Sequence, residues 1–445
     1  MIEDTISAIS TSLGASGVAV IRTSGKDSLS IAQKMFFPAG KTKVSDFEPY
    51  KLYVGEIDCG GFRDFGMCVY FKAPKSYTGE DIVEYHTHGG IAIVKGALKQ
   101  TLSLGARLAD NGEFTKRAFM NGKLSLSSAE GLIDMINSES EAQAKAGYYL
   151  YREKLNAKVS DLQDKLLDAI SELDADMDFP EEDLNLSVKQ NLKVTLDLVV
   201  KEIEKLLATF GSGRAVVSGV KVGIVGKPNT GKSSILNALL NYDKAIVSDI
   251  AGTTRDIVEG RIDIDGVKFE FSDTAGIRNS DDKIENLGVM LSKRVLDESD
   301  LIVFVLDGTN IDGSDDEIYE LIKDKNVLVV LNKIDCGGIS DSRADIKVSA
   351  KERTNIDELK KAIYDKTVGK GLNFNGDFLC EERHFDALGR ARKCLKDALS
   401  GIDYSTNDLL AIDVKAAWDV LGEISGKTAT EDIINNIFSK FCVGK

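Results

Sequence analysis

The rhythm of apolar residues changes three times along this chain, and each change predicts a different kind of element. Up to about residue 120, short β-branched and aromatic runs such as GVAVIRTSG and MCVYFKAP alternate with glycine-containing turns. One stretch, IAIVKGALKQTLSLG, has helical spacing, so this part reads as an α+β domain. From about 122 to 212 the spacing is helical throughout. Leu155, Val159, Leu162, Leu166, Ile170 and Leu173 recur at steps of three and four, the stripe of a helix buried along one side. Pro180, in DFPEED, lacks the N–H that a helix interior needs, so the helix breaks there. A second helix is predicted through LKVTLDLVVKEIEKLLATF.

From Lys221 to near Lys370, continuous apolar runs (VGIV, LIVFVLD, VLVVLN) alternate with helical segments, the pattern of parallel strands buried on both faces. Helical spacing returns from about 380 to 445, so the α/β part reads as an insertion into a helical domain. The expected division is 1–120, 121–215, 216–371 and 372–445. Near the end, Thr428 to Glu431 reads as a capping box. Ile433, Ile434, Ile437, Phe438 and Phe441 then share one side of a final buried helix.

A chain of 445 residues has room for about three domains. With 43% hydrophobic and 29% charged residues it is globular and not disordered in character. Its start, MIEDTISAIS, has acids where a signal peptide has Lys or Arg, and no apolar run approaches membrane-spanning length. A cytoplasmic protein without a membrane partner is expected. The net charge of −15 argues against broad wrapping of nucleic acid, which needs many Lys and Arg contacts to phosphate, so any RNA contact is local or delegated to a partner. The six cysteines form no CxxC and have no His cluster beside them, so neither a zinc site nor a disulfide framework is indicated. His86 and His88 share a strand face without a third ligand and read as structural or turn-related.

The stretch GKPNTGKSS, Gly226 to Ser234, follows the strand KVGIV and opens the helix ILNALLN. That is the context of a phosphate-binding loop, whose inward backbone N–H groups and helix N-terminus receive phosphates. Asn229, Thr230, Gly231, Lys232, Ser233 and Ser234 are the expected contacts, with Lys232 on the β and γ phosphates and Ser233 on Mg²⁺. DTAG follows the strand KFEFS and adds Asp273, Thr274, Ala275 and Gly276. NKID ends the strand VLVVL with Asn332, Lys333 and Asp335, and SAK supplies Ser349 and Ala350. A carboxylate at Asp335 accepts from guanine N1–H and the 2-amino group, which adenine lacks. These signatures resemble the translation-factor-related small GTPase superfamily over about 218–370. Ile277 stands where Ras-like members put a water-orienting Gln, so another group must orient the water.

Between them lies VSDIAGTTRD, Val247 to Asp256, where the first switch belongs. It adds Ser248, Asp249, Ile250, Ala251, Gly252, Thr253 and Thr254 to the expected GTP contacts, with Thr254 on Mg²⁺. GTTRD together with Asn229 resembles the potassium-dependent GTPases. That resemblance implies K⁺ held by Asn229, Ser248, Ile250 and Thr253.

Over nearly its whole length the chain resembles the tRNA modification GTPase family MnmE (TrmE). The matching stretches are YTGEDIVEYHTHGG, GEFTKRAFMNGKLSLSSAEGLIDMI, DFPEED and IFSKFCVGK. The resemblance implies a multidomain α/β protein: an α+β folate-binding-like domain that also dimerises, then a helical domain into which a Ras-like P-loop G domain is inserted. It implies that Glu285 is the general base or water positioner, and that Arg22, Glu84, Lys123 and Lys445 contact a 5-formyl- or methylene-tetrahydrofolate. It further implies a homodimer working with an FAD protein, MnmG, which alone holds the FAD. Together they would add a carboxymethylaminomethyl or aminomethyl group at C5 of the wobble uridine of tRNA. TSLGASGVAVIRTSG departs from the family by lacking the Pro and extra Gly common before its Arg; Ser248 stands for a more frequent Thr, and CVGK for CIGK.

Cys442 has the spacing of a prenylation box, but a terminal Lys445 and the lack of a preceding polybasic run speak against one. It remains a candidate nucleophile on the uridine ring, without a base or cation nearby in sequence to activate it. A ribosome-assembly GTPase that docks on RNA according to nucleotide state is the rival reading; the acidic charge and the folate set speak against it.

Overall fold

A computed structural model of the protein describes residues 4–178, 185–240, 260–273, 293–369 and 377–445. Pro180 lies outside them. The chain forms two units: Met1–Ile133, Leu150–Val159 and Leu421–Lys445 make one, Asp134–Tyr149 and Ser160–Val420 the other.

The first unit begins with β1 (Ile6–Ile9), β2 (Ala19–Ser24), α1 (Ser28–Met35), β3 (Phe36–Pro38), β4 (Leu52–Asp58), β5 (Arg63–Phe71), β6 (Ile82–Thr87), α2 (Ile91–Ser103), β7 (Arg107–Leu108) and α3 (Glu113–Met120). The strands form one sheet in the order β3-β4-β5-β6-β2-β1-β7. Side chains alternate between the faces of a strand, and the sequence uses this to separate core from site. Ile21, Val83 and Tyr85 pack with Ala32 and Met35 of α1 and Val94 and Ala97 of α2. The intervening Arg22 and Glu84 stand opposite each other across β2 and β6, and Ala8 of β1 stands opposite Arg22. Phe114 of α3 packs with Ile6 and Ala8.

The helices that follow are α4 (Leu126–Asn137), α5 (Glu141–Tyr151), α6 (Lys154–Asp178), α7 (Asn185–Ala208) and α8 (Phe210–Ser218). Leu155, Val159, Leu162, Leu166 and Leu173 are buried as their spacing predicts. Ile170 is only half-buried, and Ala169 takes the buried place instead. At 3.6 residues per turn the stripe steps from 166 through 169 to 173.

The segment expected to be a G domain comprises β8 (Val220–Val225), α9 (Lys232–Leu240), β9 (Gly260–Ile264), β10 (Val267–Asp273), α10 (Lys293–Glu298), β11 (Leu301–Asp307), α11 (Gly313–Ile322), β12 (Val327–Asn332), β13 (Ile346–Lys347) and α12 (Ile356–Thr367). Its sheet runs β13-β12-β11-β8-β10-β9. All neighbours are parallel except β9 and β10. Every residue of β11 is buried, as a continuous apolar run in a two-sided sheet requires. The β9–β10 turn rests on the helical part: Ser140 Oγ donates to the Gly266 carbonyl at 2.6 Å, and Lys268 pairs with Glu139. After the G domain come α13 (Glu382–Gly401) and α14 (Asn407–Ser425). Phe385 of α13 stacks on Phe210 of α8 with ring centroids 4.3 Å apart, and Lys396 pairs with Glu204 of α7 at 2.6 Å. The G domain thus leaves and rejoins the helical part at adjacent points.

The last helix, α15 (Glu431–Ser439), belongs to the first unit. The expected capping box is not formed: Thr430 is the N-cap and its side chain makes no cap hydrogen bond. The helix enters two residues later than the motif implied, so Glu431 is its first residue and not its third. Packing fixes its place, through Ile437, Phe438 and Phe441 against Leu126 and Ala129 of α4. Among the described residues no helix is long and apolar enough to cross a membrane.

Adjacent residues of α6 test the stripe. Leu166→Ala removes a side chain that is 0% exposed and should cost about 2–5 kcal/mol, read as a lower urea midpoint. Leu167→Ala, at a position 48% exposed, should stay within about 0.5 kcal/mol of wild type.

Candidate functional site

Three loops meet at the carboxyl edge of the parallel sheet. The first joins β8 to α9. Asn229 adopts a left-handed backbone at φ 66° and Gly231 follows at φ 94°. A Cβ on Gly231 would lie 2.2 Å from Asn332 Nδ2, so only glycine fits there. The first N–H groups of α9, which have no partner inside the helix, open onto this loop. Lys232 Nζ sits within the loop's curve and donates to the carbonyls of Gly226 and Lys227, both at 2.9 Å. Ser233 and Ser234 open α9 on its exposed side.

The second and third loops follow β12 and β13. Asn332 ends β12 and joins all three loops through its carboxamide: Nδ2 donates to Thr230 O at 2.9 Å, and Oδ1 accepts from Ala350 N at 3.1 Å. Lys333 donates to Asn229 O at 2.7 Å and pairs with Asp307, at the end of β11, at 2.6 Å. Burial would raise the Asp307 carboxyl, but Lys333 and Thr309 outweigh it and hold that group below its ordinary value. Ser349 Oγ donates to Asp335 Oδ1 at 2.6 Å, and this bond is the main cause of a lowered Asp335 carboxyl.

Asn229, Thr230, Gly231, Lys232, Asn332, Lys333, Asp335, Ser349 and Ala350 therefore form one contiguous site. Asp273 closes β10, level with Ile224 of β8, on the same edge. Ser248, Asp249, Ile250, Ala251, Gly252, Thr253, Thr254, Thr274, Ala275, Gly276 and Glu285 lie outside the described residues. Sequence reading passed over Asp307, although a lone acid closing the apolar strand LIVFVLD was a visible signal. The arrangement offers N–H donors and an ammonium to an anion, beside a carboxylate held in place by Ser349.

A second group of residues gathers in the first unit. Arg22 Nε donates to Glu84 Oε1 at 2.8 Å, and His86 Nε2 lies 3.4 Å from Glu84 Oε2. Burial would raise the Glu84 carboxyl, but His86 and Arg22 outweigh it and hold the group low. The Arg22 guanidinium lies 5.7 Å from the ring centroids of both Tyr77 and Phe114. Neither ring was singled out from sequence, since nothing in YTGED says that its Tyr meets Arg22. His86 thus belongs with Glu84, whereas His88 pairs with Asp64 at 2.7 Å.

The chain's tail returns to the same unit. Val443 bridges Asn111, and Gly112 N donates to Cys442 O at 3.4 Å. Gly444, at φ 99°, lies so close to β1 that a Cβ would fall 2.0 Å from Ile9 O. Lys445 is thereby delivered beside the end of β1, while Lys123 lies in a turn where its Cε passes close to Gly79. Cys442 is exposed, as is Cys336; Cys59, Cys68 and Cys380 are buried. Burial pushes the Cys59 thiol up to about 11.

Sheet and loops together define a Ras-like P-loop GTPase. Residues 5–123 match the family described as "GTP-binding protein TrmE N-terminus", and residues 126–442 match "MnmE helical domain". The chain is 40% identical over 464 residues to the tRNA modification GTPase MnmE of Desulforamulus reducens, with 100% of both chains covered. It is 41% identical over 461 residues to that of Thermoanaerobacter pseudethanolicus, again over 100% of both. A solved Era structure from Aquifex aeolicus, bound to GDP·AlF4−, is 33% identical over 39% of this chain and 66% of its own. Its TM-score of 0.27 gives that overlay no weight. The chain belongs to the MnmE (TrmE) family of tRNA modification GTPases, and is a GTP-hydrolysing enzyme.

Asp335 makes the base preference testable. Inosine triphosphate lacks the 2-amino group and should bind about 10–100-fold more weakly than GTP, the worth of one hydrogen bond to a charged acceptor. In Asp335→Asn the gap should close. Because the Asp335 carboxyl is held below its ordinary 3.8, it stays ionised at pH 5. The GTP to inosine triphosphate ratio in equilibrium binding should then be the same at pH 5 and pH 8.

Proposed function

We propose that this chain is a K⁺-dependent GTPase that acts in the cytoplasm with the FAD protein MnmG. Together they add a carboxymethylaminomethyl or aminomethyl group at C5 of the wobble uridine of tRNA, with a tetrahydrofolate derivative as one-carbon donor. The observation that carries the reading is the docked tail. Gly444 against Ile9 brings Lys445 into the unit that holds Arg22 and Glu84. In this reading 1–120 is the folate-binding and dimerising domain, 121–215 and 372–445 the helical domain, and 216–371 the G domain.

The donors fit the groups they are asked to hold. Among the described residues Arg22 uses only Nε, on Glu84, so both terminal nitrogens are available to a folate carboxylate. Glu84 suits the N–H edge of a pterin, and Lys123 and Lys445 suit further carboxylates. In the G domain Ser233 and Thr254 would hold Mg²⁺, while Asn229, Ser248, Ile250 and Thr253 would hold K⁺. All are oxygen donors, which suit hard cations. When bound, these ions offset the negative charge that grows on the phosphates. Lys232 turns from its own loop to the β and γ phosphates, Asp335 and Ser349 fix the base, and Glu285 orients the water that Ile277 cannot. Exposed Leu52, Val54 and Phe65 on β4 and β5 form an apolar strip that suits a homodimer through the N-terminal domain. Cys442, exposed on the tail, is the candidate nucleophile toward the uridine ring.

The reading is tested by incubating the purified chain with MnmG, tRNA, GTP and methylene-tetrahydrofolate, and analysing the tRNA nucleosides by mass spectrometry. The modified uridine should appear and should vanish when GTP is left out. Recovery of ribosomal subunits without MnmG in a pull-down would instead support an assembly switch. GTP turnover should fall at least about tenfold when K⁺ is replaced by Na⁺, since a missing charge-stabilising group in a transition state costs at least that much.

A further inference from the structure

Lys227 follows Gly226 in the phosphate loop at a position that the motif leaves open. Its side chain turns away from the loop's interior toward α11. Nζ lies 2.7 Å from Asp315 Oδ2 and 2.9 Å from Asp312 Oδ2. Asp315 has no exposed side-chain area. The two carboxylates already form a capping box at the start of α11, with Ser314 N donating to Asp312 and Asp312 N donating to Asp315. The Lys227 ammonium completes that cluster.

The same residue's backbone serves the nucleotide loop. Lys227 O accepts from Lys232 Nζ at 2.9 Å and from Thr230 Oγ1 at 3.0 Å. The other side-chain ties on the loop, from Lys333 to Asn229 O and from Asn332 to Thr230 O, hold its later half. The earlier half is tied from inside by Lys232, which also donates to the Gly226 carbonyl, and among the described residues Lys227 ties it outward to α11. When Lys232 turns to phosphate it releases the Lys227 carbonyl, and the ion pair with α11 still keeps that peptide in place.

We propose that Lys227 is a positioning residue for nucleotide binding: anchored on Asp312 and Asp315, it holds the first half of the phosphate loop in the shape that receives the phosphates. The simpler alternative is that Lys227 only neutralises the buried Asp315, since a buried charge that loses its partner is strongly destabilising. The two accounts differ in what a neutral pair should do.

GTP and GDP affinities, kcat, KM and thermal midpoints are to be measured for the full chain and for Lys227→Met, Lys227→Arg and Lys227→Met with Asp315→Asn. Lys227→Met should weaken both nucleotides about tenfold or more and raise KM, with kcat much less changed, as expected for a displaced loop. Lys227→Arg should restore most of the affinity. The double variant removes both charges and should regain thermal stability without regaining affinity. Wild-type affinity in Lys227→Met, or affinity that returns with stability in the double variant, overturns the proposal. If the single variant does not fold, the double variant decides alone. The inference rests on GTP binding only, so its outcome is independent of the folate reading.

Discussion

A parallel sheet gathers its loops at the carboxyl ends of its strands, and those loops have no ladder of their own to hold them. In this G domain that task falls on the carboxamide of Asn332. It is 2% exposed, and it donates to the loop after β8 through Thr230 while accepting from the loop after β13 through Ala350. A buried amide with both ends satisfied has one orientation, and so do the loops it joins. Gly231 belongs to the same constraint, because the space a Cβ would need is taken by Asn332 Nδ2. Lys333 and Asp307 then set the Asn229 carbonyl, and Ser349 sets the Asp335 carboxylate. The residues of the three loops thus take positions that depend on one another.

The first unit solves a different problem, that of keeping charges on the face of an otherwise apolar sheet. Arg22 and Glu84 stand in register on neighbouring antiparallel strands, where opposite charges meet side by side. Tyr77 and Phe114 flank the guanidinium and reduce its contact with water. The tail reaches this unit because α15 is held by its apolar face and because Gly444 can approach the Ile9 carbonyl more closely than any side chain would allow.

What could be read from sequence was whatever a local pattern dictates. The run LIVFVLD became a strand buried at every position, and GKPNTGKSS became a loop and helix start, because glycine, asparagine and apolar spacing act on their own backbone. What escaped depends on partners remote in the chain. Asp307 matters through Lys333, Tyr77 through Arg22, and Lys227 through Asp315, and no local pattern announces such pairs. The capping box at Thr428 failed for the same reason. Its letters fit, but the helix starts two residues later, and its apolar end packs on Leu126 and Ala129, which no local pattern names. The switch residues were read as motifs and Glu285 through the family resemblance alone, and both lie outside the described residues.

The proposed function joins a GTPase to a one-carbon site completed by the C-terminal tail. It is tested most directly by equilibrium binding of 5-formyl-tetrahydrofolate to the full chain and to a chain ending at Phe441. Full-length protein should bind, and the truncated chain should bind about tenfold or more weakly, since it lacks the Lys445 ammonium and the segment held on Ile9. Equal affinity in both chains, or no binding by the full chain, would contradict it.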